Sequence, residues 1–186
     1  MCGFLGEVSF NNNLSDLKKF KSLLHLSIHR GPDDTQILEY KNIRLGFNRL
    51  AILDLTDKGS QPKQSPTKRY QVVFNGEIYN YKQLAKLHRI NNLDSTSDTE
   101  VLVHLFDKIG VDKTVRQLNG MFAIMVLDTT EDITYLIRDF AGIKPLFYGL
   151  SNNSLVAASQ FNQIYRHPDF SNNLVLRPDV VKAYFG

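Results

Sequence analysis

The stretch GMFAIMVLD, residues 120–128, is apolar at every position from 121 to 127. A strand with one face in water alternates apolar and polar residues, because successive side chains point to opposite faces. An unbroken apolar run of strand length instead predicts a strand covered on both faces. Strand character also marks residues 4–10, 43–53, 70–74, 133–139 and 154–159. Two helical patterns accompany them. Residues 14–28 place Leu14, Leu17, Phe20, Leu23, Leu24 and Ile28 on one stripe. Ser97, with Glu100 three residues on, is a capping-box signature. It opens a helix that turns Val101, Leu102, Leu105, Phe106 and Ile109 inward and stops at Gly110. A short helix is predicted from Pro178. Doubly covered strands with amphipathic helices imply an α+β layered architecture, the helices lying outside the sheets.

Punctuation between these runs is clear. Gly31-Pro32 in HRGPDD (29–34) breaks the first helix, and Gly59, Pro62 and Pro66 mark a polar loop. Asn75-Gly76, directly after the strand at 70–74, reads as a turn. The 186 residues suffice for one domain with a sizeable core. The net charge of +3 comes from scattered Lys and Arg, which form no nucleic-acid footprint. A single cysteine excludes an internal disulfide and a multi-cysteine zinc site, and suits a reducing compartment. No apolar run reaches membrane-spanning length and no secretory signal opens the chain, so a cytoplasmic protein without a membrane partner is expected.

That cysteine is Cys2, between Met1 and Gly3. Removal of Met1 would leave its thiol beside its own α-amino group. An α-amino group titrates near 7.7–8.0 and a free thiol near 8.5, so the amine is a matched base for the thiol. One residue can then supply both nucleophile and base. His25 and His29 lie four apart, a spacing that could bind zinc on a helix, but no third ligand accompanies them and no metal is expected.

With MCG at the start come HRGPDD (29–34), FNRLAILDL (47–55), VFNGEIYNY (73–81), TSDTEVLVHLF (96–106), LNGMFAIMVLD (118–128) and RDFAGIKPLFYG (138–149). In this order and spacing the chain resembles the glutaminase domain of glutamine-dependent asparagine synthetase, from Cys2 to about Ser159. The related domains of glucosamine-6-phosphate synthase and the purine-pathway amidotransferase share the MCG start and differ in the later motifs.

The resemblance implies a four-layer αββα sandwich of two mostly antiparallel sheets, the fold of N-terminal-nucleophile hydrolases. It implies hydrolysis of L-glutamine to glutamate and ammonia through a thioester on Cys2, the ammonia serving ATP-dependent asparagine synthesis or a related amidation. By resemblance, Asn75 and Gly76 form the oxyanion hole. Arg49 grips the substrate α-carboxylate, backbone at Ile52 and Leu53 lines the pocket, and Glu77 with Asp98 binds the α-ammonium. Arg30, Asp33, Arg138, Asp139 and Lys144 are expected to be buried or loop-fixing charges that support the site without taking part in the chemistry.

Residues 1–175 would be the glutaminase domain and 176–186 the start of a C-terminal synthetase domain, whose SGGxDS pyrophosphate loop does not occur in this chain. That domain, in the same chain or a separate subunit, is the expected partner. No cofactor is expected in the glutaminase domain itself; ATP and Mg belong to the synthetase. A homodimer is compatible with the sequence. Gln160 stands where the family commonly has glutamate. A glutamine-binding regulatory module that keeps the pocket without turnover is the alternative reading.

Overall fold

The computed structural model describes residues 1–52, 54–172, 175 and 177–185. In chain order these form β1 (Gly3–Ser9), α1 (Leu17–His25), β2 (Asp34–Tyr40), β3 (Ile43–Arg49), β4 (Lys63–Gln64), β5 (Tyr70–Ile78), α2 (Tyr81–Leu87), α3 (Asp98–Ile109) and α4 (Val111–Val115). There follow β6 (Gly120–Asp128), β7 (Ile133–Arg138), β8 (Phe147–Leu150), β9 (Ser154–Ala158), α5 (Phe161–Tyr165), α6 (Pro168–Ser171) and α7 (Pro178–Phe185). Among the described residues the strands build a five-stranded sheet, β2-β3-β1-β9-β8, and a four-stranded sheet, β4-β5-β6-β7. Their pairings are antiparallel.

The apolar run at 121–127 has the two covered faces its composition predicts. Phe122, Ile124 and Val126 pack with Leu102, Val103 and Phe106 of α3. Ala123, Met125 and Leu127 point the other way, against Phe4, Leu45 and Phe47 of the first sheet. On that sheet's outer face Leu5, Val156 and Ala158 meet Phe20, Leu23 and Leu24 of α1. The result is four layers, helix, sheet, sheet, helix, as the resemblance implies. Each fully buried Leu, Ile or Phe in these layers contributes about 1.5–3 kcal/mol relative to exposure.

Local differences from the sequence pattern have physical causes. Helix α1 is shorter than 14–28 because Asp16 caps it, its carboxylate accepting from the Lys18 and Lys19 N–H groups at 2.9 and 3.2 Å. Leu14 precedes it, and Ile28 falls in a separate 3₁₀ turn, Ile28–Arg30. The strand expected at 43–53 stops at Arg49. At the two edges of the five-stranded sheet, β2 carries no continuous apolar signal, and β8 is a largely exposed four-residue strand containing Gly149. The short α2, with one buried side chain, Leu84, was equally unmarked.

This arrangement sets the site. Gly3 of β1 pairs with Asn48 of β3, so Cys2 emerges beside Arg49 and Leu50. Strand β5 ends across from them in the second sheet, and Asp98 opens α3 beside it.

Candidate active site

Cys2 is half-buried. The Leu50 N–H donates to its Sγ at 3.3 Å, and Arg30 Nε donates to its carbonyl oxygen at 3.0 Å. Burial pushes the thiol up from its ordinary value, while the Leu50 N–H and the positive charges of the N-terminus, Arg49 and Arg30 oppose that shift. The thiol is thus set neutral at neutral pH and needs an adjacent base to become a nucleophile.

Asn75 and Gly76 do not form a turn. They lie inside β5, paired with Ala123 and Phe122 of β6. Gly76 does not use the left-handed backbone region. Its role is close approach: a Cβ there would stand 2.2 Å from the Met121 carbonyl oxygen and 2.7 Å from Phe122 Cα. Alternate residues of an antiparallel strand direct their N–H groups to the same edge. The Phe74 N–H donates to Gln61 Oε1 at 2.7 Å and the Ile78 N–H to Asp98 Oδ2 at 2.8 Å, both on the edge away from β6. The Gly76 N–H lies between them on that same edge. Asn75 is 1% exposed, and its Nδ2 is a buried donor with no hydrogen-bond partner.

Asp98 is buried and its carboxyl is pushed up to about 6. Desolvation is the main cause and the charge of Glu77 adds to it, while hydrogen bonds from Ile78 and Thr99 oppose both. Two acids face one space, and a cation there would relieve them.

Arg49 is also buried, and so is not a solvated edge charge. Its NH1 donates to the Thr56 carbonyl at 2.8 Å and to Ser60 Oγ at 3.3 Å, and its NH2 donates to the Asp54 carbonyl. Three bonds leave further N–H groups of the guanidinium for an anion.

These groups share one cavity of about 180 Å³, which Cys2, Arg49, Ile52, Asn75, Gly76, Glu77 and Asp98 all line. Leu53, also expected there, lies outside the described residues. Sequence reasoning missed Asp54 and Gln61 in the same wall, and read Lys144 as a charge that supports the site rather than one that lines it. Gln61 closes the free edge of β5 by accepting from the Phe74 N–H and donating to the Phe74 carbonyl at 3.1 Å. No local pattern announces that pairing, which spans a proline-rich loop. Lys144 is 5% exposed and lines the cavity.

Other charges hold loops, as expected. Asp139 accepts from the Phe122, Ile143 and Lys144 N–H groups, Asp33 from Ala51, and Arg138 donates to the carbonyls of Lys144 and Gly142. His25 ends α1, while His29 sits in the following 3₁₀ turn against Gln160 Nε2 at 2.9 Å, so the two do not share a helix face. Among the described residues no group of three or more His, Cys, Asp or Glu could hold a metal ion.

The family model described as "Glutamine amidotransferase domain" matches residues 1–185. "Asparagine synthetase [glutamine-hydrolyzing] 2" of Bacillus subtilis (strain 168) is 38% identical over 172 residues, covering 90% of this chain and 23% of that protein. "Putative asparagine synthetase [glutamine-hydrolyzing] 2" of Methanocaldococcus jannaschii is 32% identical over 205 residues, covering 100% of this chain and 39% of that protein. The chain therefore spans well under half the length of these relatives. In fold it is similar to the solved glutamine phosphoribosylpyrophosphate amidotransferase from B. subtilis complexed with ADP and GMP. That match has a TM-score of 0.72 and 20% identity, over 87% of this chain and 42% of that one.

Proposed function

The chain belongs to the glutamine amidotransferase domain family, and on that premise we propose that it hydrolyses L-glutamine to glutamate and ammonia with Cys2 as nucleophile. The observation that carries this reading is the partnerless Asn75 Nδ2, buried in the wall that Cys2 also lines. A buried donor without an acceptor costs about 1–3 kcal/mol, and an oxyanion formed in the cavity would answer it.

In this mechanism the α-amino group of Cys2, freed of Met1, takes the thiol proton. The sulfur attacks the side-chain amide carbon, and the oxygen becomes an anion held by Asn75 Nδ2 and the Gly76 N–H. The proton passes to the amide nitrogen, the C–N bond breaks and ammonia leaves. Water then attacks the thioester, the C–S bond breaks, and glutamate departs as the thiol re-forms. Arg49 takes the α-carboxylate, Ile52 lines the pocket, and Glu77 with Asp98 takes the α-ammonium. The ammonia goes to a synthetase domain, which would supply ATP and Mg and amidate aspartate or another carboxylate. Residues 1–175 are then the glutaminase domain, 176–186 lead into the synthetase, and the enzyme is cytoplasmic.

The alternative is a glutamine-binding module that keeps the pocket without turnover. The test is peptide mass spectrometry after treatment with the electrophilic glutamine analogue 6-diazo-5-oxo-L-norleucine. An adduct on a Met1-free Cys2 is the expected result. A correctly trimmed chain that takes no adduct would leave the binding module as the better reading.

A further inference from the structure

Asp54 touches neither Cys2 nor the oxyanion donors, yet its carboxylate joins two walls of the cavity. It is 9% exposed. Oδ1 accepts from the Thr56 N–H at 2.8 Å and from Thr56 Oγ1 at 2.6 Å, and Oδ2 accepts from the Thr96 N–H at 3.1 Å. Its own carbonyl oxygen is held by Arg49 NH2, and the Thr56 carbonyl by Arg49 NH1. On the other side, Thr96 immediately precedes Ser97, whose hydroxyl caps α3 by accepting from the Glu100 N–H at 3.2 Å, and Asp98 is the first residue of that helix. One carboxylate thus ties the segment bonded to Arg49 to the turn that presents Asp98.

We propose that Asp54 is a positioning residue that sets the spacing between Arg49 and Asp98, and so selects a donor carrying both an α-carboxylate and an α-ammonium. The inference rests on the glutaminase reading and deepens it. A ligand held at two charged ends is sensitive to their separation, since binding energy is realised only when both contacts form together. The carboxylate form is required. An asparagine at 54 has one acceptor oxygen, so its NH₂ would face either the Thr96 N–H or the Thr56 N–H, and only the Thr56 hydroxyl could turn to accept from it. The hydrogen bonds from the Thr56 side chain and backbone, and then from Thr96, hold the Asp54 carboxyl at about 2. It therefore stays ionised over the range in which Asp98 titrates, and the clamp is not itself a pH switch.

The test compares Asp54→Asn and Thr56→Val with the parent chain, all Met1-free. Cys2 is labelled either with 6-diazo-5-oxo-L-norleucine, which carries both charged ends, or with iodoacetamide, which carries neither. For Asp54→Asn the half-saturating concentration of the amino-acid reagent should rise roughly tenfold, the scale of one lost charge-assisted hydrogen bond. Thr56→Val, which keeps the backbone donor, should show a smaller rise. The limiting labelling rate and the iodoacetamide rate should stay within about twofold of the parent, a split that general loosening of the fold would not produce. An unchanged half-saturation in Asp54→Asn overturns the inference, as does an iodoacetamide rate that falls in parallel. If the parent itself takes no amino-acid reagent on Cys2, the glutaminase reading fails first and this inference with it.

Discussion

Asn75 and Asp98 each carry a group that is badly served in the free protein. The Asn75 Nδ2 has no acceptor, and Asp98 is held buried beside Glu77 with its carboxyl near 6. Under the proposed mechanism Asn75→Ala should lower kcat by roughly 10²–10³-fold, the usual effect of losing one oxyanion donor. It should leave the denaturation midpoint unchanged or higher, because the lost donor made no bond in the fold; urea melts and turnover on the same preparation check both. Asp98 has the opposite sign from an ordinary paired carboxylate. Its folded pKa lies above its usual 3.8, so the folded chain holds the proton more tightly. That contribution to stability is fully present below about 4 and is lost as pH rises through about 6. Asp98→Asn should therefore stabilise the chain by on the order of 2 kcal/mol above about pH 7, with no gain below about pH 4. It should also abolish saturation by glutamine. In the parent, glutamine should bind more weakly as pH falls through about 6, because a protonated Asp98 cannot pair with an ammonium.

At the scale of elements, β5 decides the site. It runs nine residues without a turn, and its free edge is taken by Gln61 at Phe74 and by Asp98 at Ile78. Gly76→Ala should destabilise the chain by roughly 2–3 kcal/mol, because the new methyl meets β6 backbone, which cannot swing aside like a side-chain tip. Labelling of Cys2 by the glutamine analogue should fall with it; a variant that melts and labels like the parent would contradict the close approach of the two strands. Helix α3 shows half of its predicted capping box. Ser97 caps Glu100, but the Glu100 carboxylate, rather than returning to Ser97, pairs with Lys63 at 2.6 Å and accepts from Ser95 Oγ and the Asp94 N–H. Glu100, in the first turn of the helix, thereby also fastens the loop ahead of it to β4.

Across the whole molecule, the contact between the two sheets sets how Cys2, which immediately precedes β1 of one sheet, faces Asn75 in β5 of the other, and the proposed chemistry depends on that register. Met125 fills that contact: it is 0% exposed, and a Cβ on Gly6 of the opposite sheet would reach its Sδ at 2.1 Å. Met125→Ala should cost about 2–5 kcal/mol through the cavity it leaves. Adding Gly6→Ala should return part of that loss while costing stability alone, a non-additive pair that chemical denaturation of the four variants would reveal.

Much of this was legible in the chain itself. The run at 121–127 forecast a strand with two covered faces, Ser97 to Gly110 bounded α3, and the motifs drew together Cys2, Arg49, Ile52, Asn75, Gly76, Glu77 and Asp98. Periodicity and capping are local signals, set within a few residues by which side chains share a face. Asn75-Gly76 was misread as a turn for the same reason: the dipeptide's local preference favours a turn, and only its pairing with Ala123 and Phe122 makes it strand. Edge strand β2 left no continuous apolar trace because it buries no side chain fully, and β8 was too short to read as a strand, four largely exposed residues interrupted by Gly149. The roles of Asp54 and Gln61 depend on partners 42 and 13 residues away, Thr96 and Phe74. Which faces are buried was written in the sequence, through side-chain chemistry repeating at the period of each element. Which polar group meets which was decided by the tertiary structure, because a hydrogen bond depends on distance and direction in space that residue order alone does not carry.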